Sequence, residues 1–173
     1  MNLIITCQRN LEEQSIEEFT NFLNEFGDPN PEISKTYFSG IIQVSTSLNP
    51  IEIIKKIREK ISDEPWSIRF CSRIIPIQKE CESDLKSIKE EVERMISPIK
   101  KHQSYRITIE KRNSEIKSKD AISEIADLIS NKVSLEKPDW EIIIQIMGKM
   151  TGISVLPKNS ILSTSIEKRS RLD

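Results

Sequence analysis

Residues 139–148, DWEIIIQIMG, form a nearly continuous apolar run that limits the folds open to the chain. A strand buried on both faces has such a run, whereas a strand with one solvated face alternates apolar and polar residues. The run therefore predicts a strand inside a sheet that is covered on both sides. The next two segments, TGISVLP at residues 151–157 and NSILSTSI at residues 159–166, predict two further strands.

The first half of the chain predicts the element order β-α-β-β-α-β, which is the order of the split βαβ or ferredoxin-like arrangement. Alternating apolar residues predict the strands, and apolar residues three and four apart predict the helices. The elements are a strand at residues 3–6, a helix that ends at Gly27, a hairpin in residues 35–46 with its turn at Ser39–Gly40, a helix opened by Pro50, and a strand in residues 66–77.

The second half repeats the mixture of helices and strands. An apolar stripe from Leu85 to Ile96 predicts a helix that ends before Pro98. Residues 105–110, YRITIE, predict a strand, and the stripe that follows it predicts a helix with Ser118 as its N-cap. The fold class is therefore α/β in the broad sense, or more specifically α+β. We expect two domains, at residues 1–78 and 79–173.

Several kinds of site are missing from the sequence. The three cysteines are odd in number and lie far apart, and His102 is the one histidine, so neither a disulfide framework nor a metal site is expected. The four glycines do not form a nucleotide-binding loop, and no nucleophile stands beside a base. We therefore expect no enzymatic activity, no cofactor and no metal. No segment has the ~20 apolar residues of a membrane span, so we expect a cytoplasmic protein without a membrane partner.

Residues 105–129, YRITIEKRNSEIKSKDAISEIADLI, place basic residues between a predicted strand and a predicted helix. Free backbone N–H groups at a helix N-terminus attract phosphate, and lysine and arginine neutralise phosphates without reading base sequence. Residues 99–173 carry 14 Lys and Arg against 10 Asp and Glu, while residues 1–98 carry 12 against 17. Two interpretations are open at this point: a solvated loop without function, or a phosphate-binding site. Further basic residues flank the last predicted strands: Lys149, Lys158, Lys168, Arg169 and Arg171.

The stretch from residue 105 to residue 157 resembles the core of a THUMP domain. Its strand ends in Lys111-Arg112, and a small polar residue, Ser118, opens the helix. The segment from Val133 to Asp139, with Leu135, Pro138 and Asp139 in register, then leads into the long apolar strand and a second strand. In its order of elements, the first half resembles the ferredoxin-like domain that usually accompanies a THUMP domain.

This resemblance implies an RNA-binding role, with the acceptor stem and 3′ CCA end of tRNA as the ligand. Because the sequence ends at Asp173 without a catalytic domain, we expect an adaptor that presents tRNA to a modification enzyme. The expected partner is an RNA acetyltransferase that makes 4-acetylcytidine in tRNA. The predicted RNA-binding residues are Lys111, Arg112, Asn113, Lys117, Ser118, Lys119, Lys149 and Lys158.

Three alternatives are open. The chain is an RNA-binding subunit of another tRNA-modifying enzyme, for thiolation or methylation; a subunit that completes an active site whose catalytic domain is on another chain; or a structural module that dimerises through a sheet edge. For Arg112 we expect an exposed side chain, so that its loss weakens RNA binding by about 1–2 kcal/mol and hardly changes stability.

Overall fold

The computed structural model describes residues 1–170 and contains two compact units. Met1–Pro76 and the described part of the C-terminal segment, residues 159–170, form unit 1, and Ile77–Lys158 forms unit 2. The elements in chain order are β1 (Leu3–Cys7), α1 (Glu12–Phe26), β2 (Glu32–Lys35), β3 (Ile41–Ser45), α2 (Pro50–Asp63), β4 (Cys71–Pro76), β5 (Lys79–Glu82), α3 (Leu85–Met95), β6 (Tyr105–Arg112), α4 (Ser118–Ala126), β7 (Trp140–Met147), β8 (Met150–Pro157), β9 (Leu162–Ser163) and α5 (Thr164–Arg169).

Unit 1 is built on one antiparallel sheet with the strand order β2-β3-β1-β4-β9. The first four strands and the two helices between them have the order and pairing of a ferredoxin-like arrangement. Apolar residues of α1 and α2 pack on one face of this sheet, where isoleucine dominates the core. Gly27, at φ 107°, ends α1 in the left-handed conformation that glycine adopts without strain. The Asn49 side chain caps the start of α2.

The C-terminal segment belongs with unit 1, which differs from the domain range 79–173 expected from the sequence. Leu162 pairs with Ile74 in the sheet, and the Arg58 guanidinium donates hydrogen bonds to the carbonyl oxygens of Asn159 and Ile161. The strand predicted for residues 159–166 is wrong for most of its length, because only Leu162–Ser163 is extended and α5 follows at once. Arg171 lies outside the described residues.

Two other predicted boundaries in unit 1 were misplaced. The strand predicted from residue 66 begins only at Cys71, and Trp66 is 70% exposed in the preceding loop. The Glu18 carboxylate holds that loop, since it accepts hydrogen bonds from the backbone N–H groups of Phe70 and Cys71. The hairpin is confirmed, but its first strand is Glu32–Lys35, earlier in the chain than predicted.

Unit 2 contains a four-stranded sheet with the order β5-β8-β7-β6. The pair β6–β7 is parallel, and the other two pairs are antiparallel. Residues 142–147 of β7 are all buried, so both faces of this strand are covered, as its apolar run predicts. The core on one face contains the expected residues Tyr105, Ile107 and Ile109, together with side chains of α3 and α4. The predicted α+β class is confirmed.

The true unit boundaries also change the distribution of charge. The described residues of unit 1 hold 10 Lys and Arg against 12 Asp and Glu, and unit 2 holds 15 against 14. The contrast between the two sequence halves therefore nearly vanishes when the residues are grouped by unit. Residues 77–98, which hold 4 Lys and Arg against 6 Asp and Glu, belong to unit 2, and the basic residues of α5 belong to unit 1. Basic surfaces must consequently be sought within unit 2, at the level of individual loops.

Candidate nucleic-acid interface

The two ends of the unit 2 sheet carry different sets of residues, and we name them by their residues in β6. At the Arg112 end, β6 and β7 finish and β8 begins; at the Tyr105 end, β6 and β7 begin and β8 finishes at Pro157. The strand β8 spans the distance between the two ends. With ~3.3 Å per residue, Lys149 and Lys158, which flank this strand, are about 30 Å apart along the chain.

Most of the predicted RNA-binding residues lie at the Arg112 end. Lys111, Arg112 and Asn113 end β6, and Lys117, Ser118 and Lys119 begin α4. The structure adds Lys149, because the backbone N–H of Gly148 in the β7–β8 turn donates to the Arg112 carbonyl oxygen at 2.9 Å. Seven of the eight predicted residues are thus grouped at this end. Lys158 is the exception and lies at the Tyr105 end, where its backbone N–H donates to the Asp139 carbonyl oxygen.

The Arg112 guanidinium has partners within its own unit, unlike the exposed side chain that we expected. It donates to the Gln145 side-chain oxygen at 3.0 Å and pairs with the Glu110 carboxylate at 3.3 Å. The side chain is only 21% exposed, and Gln145 is fully buried. Because Gln145 depends on this contact, Arg112 contributes to the stability of the sheet, and its loss is not neutral for the fold.

The neighbours of Arg112 differ in how free they are. The Lys111 ammonium group donates to the Ile116 carbonyl oxygen at 2.7 Å and thereby closes the loop between β6 and α4. Asn113 has a φ of 52°, a left-handed conformation that asparagine tolerates better than most residues. The side chains of Lys117 and Lys119 are exposed. The conformation of the turn therefore accounts for Asn113. Lys117 and Lys119 are exposed and, unlike Lys111, donate no side-chain hydrogen bond within residues 1–170.

The start of α4 differs from the prediction by one position. Lys117 occupies the N-cap position and Ser118 is the first helical residue, so Ser118 is not the cap. Among the described residues, no side chain caps this helix. Uncapped N–H groups at a helix start interact favourably with an anion. Glu115 and Asp120 are exposed close by and offset part of the positive charge.

The Tyr105 end is held together by hydrogen bonds between residues 103–104 and residues 139–140. The Asp139 carboxylate accepts from the backbone N–H of Ser104 at 2.9 Å and from its hydroxyl at 3.1 Å. The Trp140 indole N–H donates to the Gln103 side-chain oxygen at 2.9 Å. These bonds to Ser104 lower the pKa of the Asp139 carboxyl, and the positive charges of Lys158 and His102 lower it further.

The thiols of all three cysteines have raised pKa values. Burial raises the pKa of the Cys71 thiol, and burial together with the Glu91 and Asp84 carboxylates raises that of Cys81 to about 11. Both thiols are consequently poor nucleophiles near neutral pH. Within residues 1–170, no group of three or more His, Cys, Asp or Glu side chains is placed to hold a metal ion. None of the helices in the same residues is long and apolar enough to cross a membrane.

Comparison with known families identifies the second unit. Residues 82–156 match the family model of the THUMP domain. The chain therefore contains a THUMP domain. Its matched range begins at the end of β5 and finishes within β8, so it includes the whole Arg112 end and most of the segments at the Tyr105 end.

Similar proteins share the fold over almost the whole chain. An uncharacterized protein of Methanocaldococcus jannaschii is 23% identical over 98% of this chain. Among solved structures, protein PH1313 from Pyrococcus horikoshii matches 90% of the chain with a TM-score of 0.65 and 18% identity. A 4-thiouridine synthetase crystallised with RNA and bound ATP matches 94% with a TM-score of 0.55 and 10% identity.

The chain spans about half the length of these relatives. It covers 45% of the Methanocaldococcus protein, 54% of the Pyrococcus protein and 42% of the synthetase. At these identities, the structural similarity of the THUMP domain and of unit 1 establishes a shared fold. It does not transfer the activity of the longer proteins.

Proposed function

We propose that the chain is an RNA-binding module that holds tRNA by its acceptor stem and 3′ CCA end and presents it to a modification enzyme. The THUMP domain at residues 82–156 is the observation that carries this proposal. The exposed lysines Lys117, Lys119 and Lys149 support it, because all three lie at the Arg112 end of the sheet, where α4 starts without a side-chain cap. Lysine acts as a point charge and suits contacts to the phosphate backbone.

A similar solved protein supports RNA as the ligand. The 4-thiouridine synthetase has this fold in the part that the chain matches, and its crystals contain RNA. In our proposal the THUMP domain of this chain has the same general task, and the ferredoxin-like unit 1 accompanies it. The proposed site residues at the Arg112 end are Lys111, Asn113, Lys117, Ser118, Lys119 and Lys149, with Arg112 shaping the strand end from which they project.

The proposed role in modification is positional. A module that fixes the acceptor end of a tRNA also fixes the distance from that end to the base that is modified. The enzyme then meets an oriented substrate, which replaces part of the entropy cost of a bimolecular encounter. We propose a cytoplasmic RNA acetyltransferase that forms 4-acetylcytidine as the partner, and no catalytic step by this chain.

A second candidate function is favoured by the length of the similar proteins, of which the chain covers only about half. Each of the similar proteins has about as much chain again beyond the matched part. In this alternative, the same two units are the RNA-binding subunit of an enzyme for thiolation or methylation. The RNA-binding chemistry at the Arg112 end is the same in both cases, and only the enzyme that receives the tRNA differs.

The test is tRNA binding by the purified chain, with intact tRNA compared with tRNA that lacks its 3′ CCA end. We expect tight binding of the intact form and clearly weaker binding of the truncated form. Equal binding of both would remove the 3′ end from the proposal, and absence of binding would overturn it. Adding the purified chain to an RNA acetyltransferase and measuring 4-acetylcytidine then separates the acetylation role from the alternative.

A further inference from the structure

The Tyr105 end of the unit 2 sheet carries a second group of lysines that the sequence does not show as a cluster. They come from three loops, after α3, after α4 and after β8, and all are exposed: Lys100, Lys101, Lys132, Lys137 and Lys158. Within residues 1–170, none of the five ammonium groups donates a hydrogen bond or forms an ion pair. We call this set the five-lysine surface.

Hydrogen bonds between the loops bring these lysines together. The Asn131 side-chain amide donates to the carbonyl oxygens of Lys100 at 2.8 Å and Gln103 at 3.0 Å. The next residue, Lys132, accepts a hydrogen bond from the Tyr105 backbone N–H. These bonds fix the loop after α3 against the loop after α4. Lys100 and Lys132 therefore leave the backbone from adjoining positions.

Backbone hydrogen bonds also fix Lys137 and Lys158, to Ser134 and Asp139 respectively. The Lys137 backbone N–H donates to the Ser134 hydroxyl, and the Lys158 backbone N–H donates to the Asp139 carbonyl oxygen at 2.9 Å. After the hydrogen bonds from Ser104, the charges of Lys158 and His102 also act on the Asp139 carboxyl and help to lower its pKa. Hydrogen bonds thus tie together the three loops that carry the five lysines.

The charge balance distinguishes this end from the Arg112 end. The three loops hold Asp127, Glu136 and Asp139 against five lysines, and Asp139 is already engaged by Ser104. At the Arg112 end, by contrast, Arg112 is paired with Glu110, and Lys111 is bonded to the backbone. Unpaired like charges held close together repel one another, and an anionic ligand relieves this repulsion.

We propose that the five-lysine surface is a second phosphate-binding site for the RNA backbone, about 30 Å from the first along β8. This inference rests on the proposed RNA-binding function and extends it to a surface outside the predicted site. Five flexible lysines without an arginine fork suit phosphates rather than base edges. In B-form DNA a phosphate recurs about every 3.4 Å of helix axis on each strand, so a duplex on the order of ten base pairs spans the two sites.

The test compares three charge-matched variants of the full chain. The Tyr105-end variant carries Lys100→Gln, Lys132→Gln and Lys158→Gln, and the Arg112-end variant carries Lys117→Gln, Lys119→Gln and Lys149→Gln. The control carries Lys55→Gln, Lys56→Gln and Lys86→Gln on exposed helix positions. For each, tRNA affinity is measured over a series of salt concentrations, and thermal melting confirms the fold.

We expect the Tyr105-end variant to bind tRNA at least about tenfold more weakly at low salt. The negative slope of log affinity against log salt should become less steep by about two, because each lost phosphate contact removes ~0.7–0.9 from its magnitude. A hairpin of about five base pairs is too short to reach both sites, so the preference for tRNA over this hairpin should shrink in the variant. The control should keep the affinity and slope of the parent.

The inference is overturned if the Tyr105-end variant melts like the parent and keeps its tRNA affinity and salt slope. If the triple variant does not fold, the double variant Lys101→Gln/Lys137→Gln gives the same decision with a smaller expected loss, about threefold or more. Absence of tRNA binding by the parent chain would instead overturn the proposed function. A surface that binds an acidic protein and no RNA would leave the salt series unchanged and so would also overturn the inference.

Discussion

The Arg112 end and the Tyr105 end of the same sheet differ in how their basic residues are brought together. At one end they are adjacent in sequence, and at the other they come from separate loops. At the Arg112 end, Lys111 and Arg112 are adjacent in the chain, yet both side chains have partners in the fold. At the Tyr105 end, the lysines extend from residue 100 to residue 158, yet loop hydrogen bonds bring them together with free ammonium groups. Basic residues that are adjacent in sequence can thus be bonded within the fold, while lysines from separate loops leave their charges free to bind an anion.

Neutralising both ends at once should give the largest effect. A variant that combines the Tyr105-end and Arg112-end substitutions should bind tRNA about 100-fold more weakly than the parent at low salt. If the two ends act independently, the losses of the separate variants should multiply, as expected for distant sites without shared partners. The measurement is a tRNA binding titration of all four proteins. A combined loss no greater than that of one end alone would mean that the RNA does not use both.

The next effect is on stability and concerns Arg112. We expect Arg112→Ala to lower the free energy of unfolding by about 1–3 kcal/mol, because it leaves the buried Gln145 side-chain oxygen without its donor. Urea unfolding measures this change, and Lys117→Ala is the matched control, with an exposed side chain. Equal stability of Arg112→Ala and the parent would show that the contact with Gln145 does not stabilise the fold. Arg112 would then be a candidate for direct phosphate binding, as the sequence predicts.

Asp139 should make the Tyr105 end sensitive to acid. Its pKa is lowered in the folded chain by the Ser104 hydrogen bonds, so the ionised carboxylate adds stability above its unfolded pKa of about 3.9. This contribution is lost as the pH falls through the lower folded pKa. We expect Asp139→Asn to melt below the parent at pH 6, with a difference that shrinks below pH about 4. A difference that is independent of pH would point to lost packing rather than to the charge.

Substitutions of Asn113 should give the smallest effect. They test whether its side chain serves the conformation of the turn or contacts RNA. Asn113→Gly keeps the left-handed conformation at φ 52° and removes the side chain, so stability should stay within ~0.5 kcal/mol of the parent. Asn113→Ala should cost about 1 kcal/mol, since alanine is strained there. If Asn113→Gly nevertheless weakens tRNA binding severalfold in a titration, the side chain itself contacts RNA. Unchanged binding would restrict Asn113 to the turn.

Much of the fold could be predicted from local sequence patterns, and the misses have physical causes. The stripes of α1, α2 and α3 and the apolar run of β7 identify their elements because burial imposes the spacing. The strand β5, KECE, was missed because a short, charged edge strand has no such apolar signature. Residues 66–70 resemble a strand in composition, but the Glu18 carboxylate of α1 accepts hydrogen bonds from the backbone N–H groups of Arg69 and Phe70.

The candidate site was predictable only in part, for a related reason. The lysines around the start of α4 follow one another in the chain and are visible in the sequence. The five-lysine surface depends on the register of β8, which carries Lys158 to the Tyr105 end, and on Asn131, which ties the loop of Lys100 to that of Lys132. Those long-range contacts leave no local pattern, so Lys158 was grouped with residues about 30 Å away along β8.

Lysine footprinting of the unmodified chain tests the central claim, that RNA occupies both ends of the THUMP sheet. Each lysine is acetylated with and without saturating tRNA, and mass spectrometry measures the fraction modified at each position. We predict protection at Lys117, Lys119 and Lys149 and also at Lys100, Lys132 and Lys158, with Lys55 and Lys86 unchanged. Protection confined to one end, or equal at all eight positions, would contradict the account.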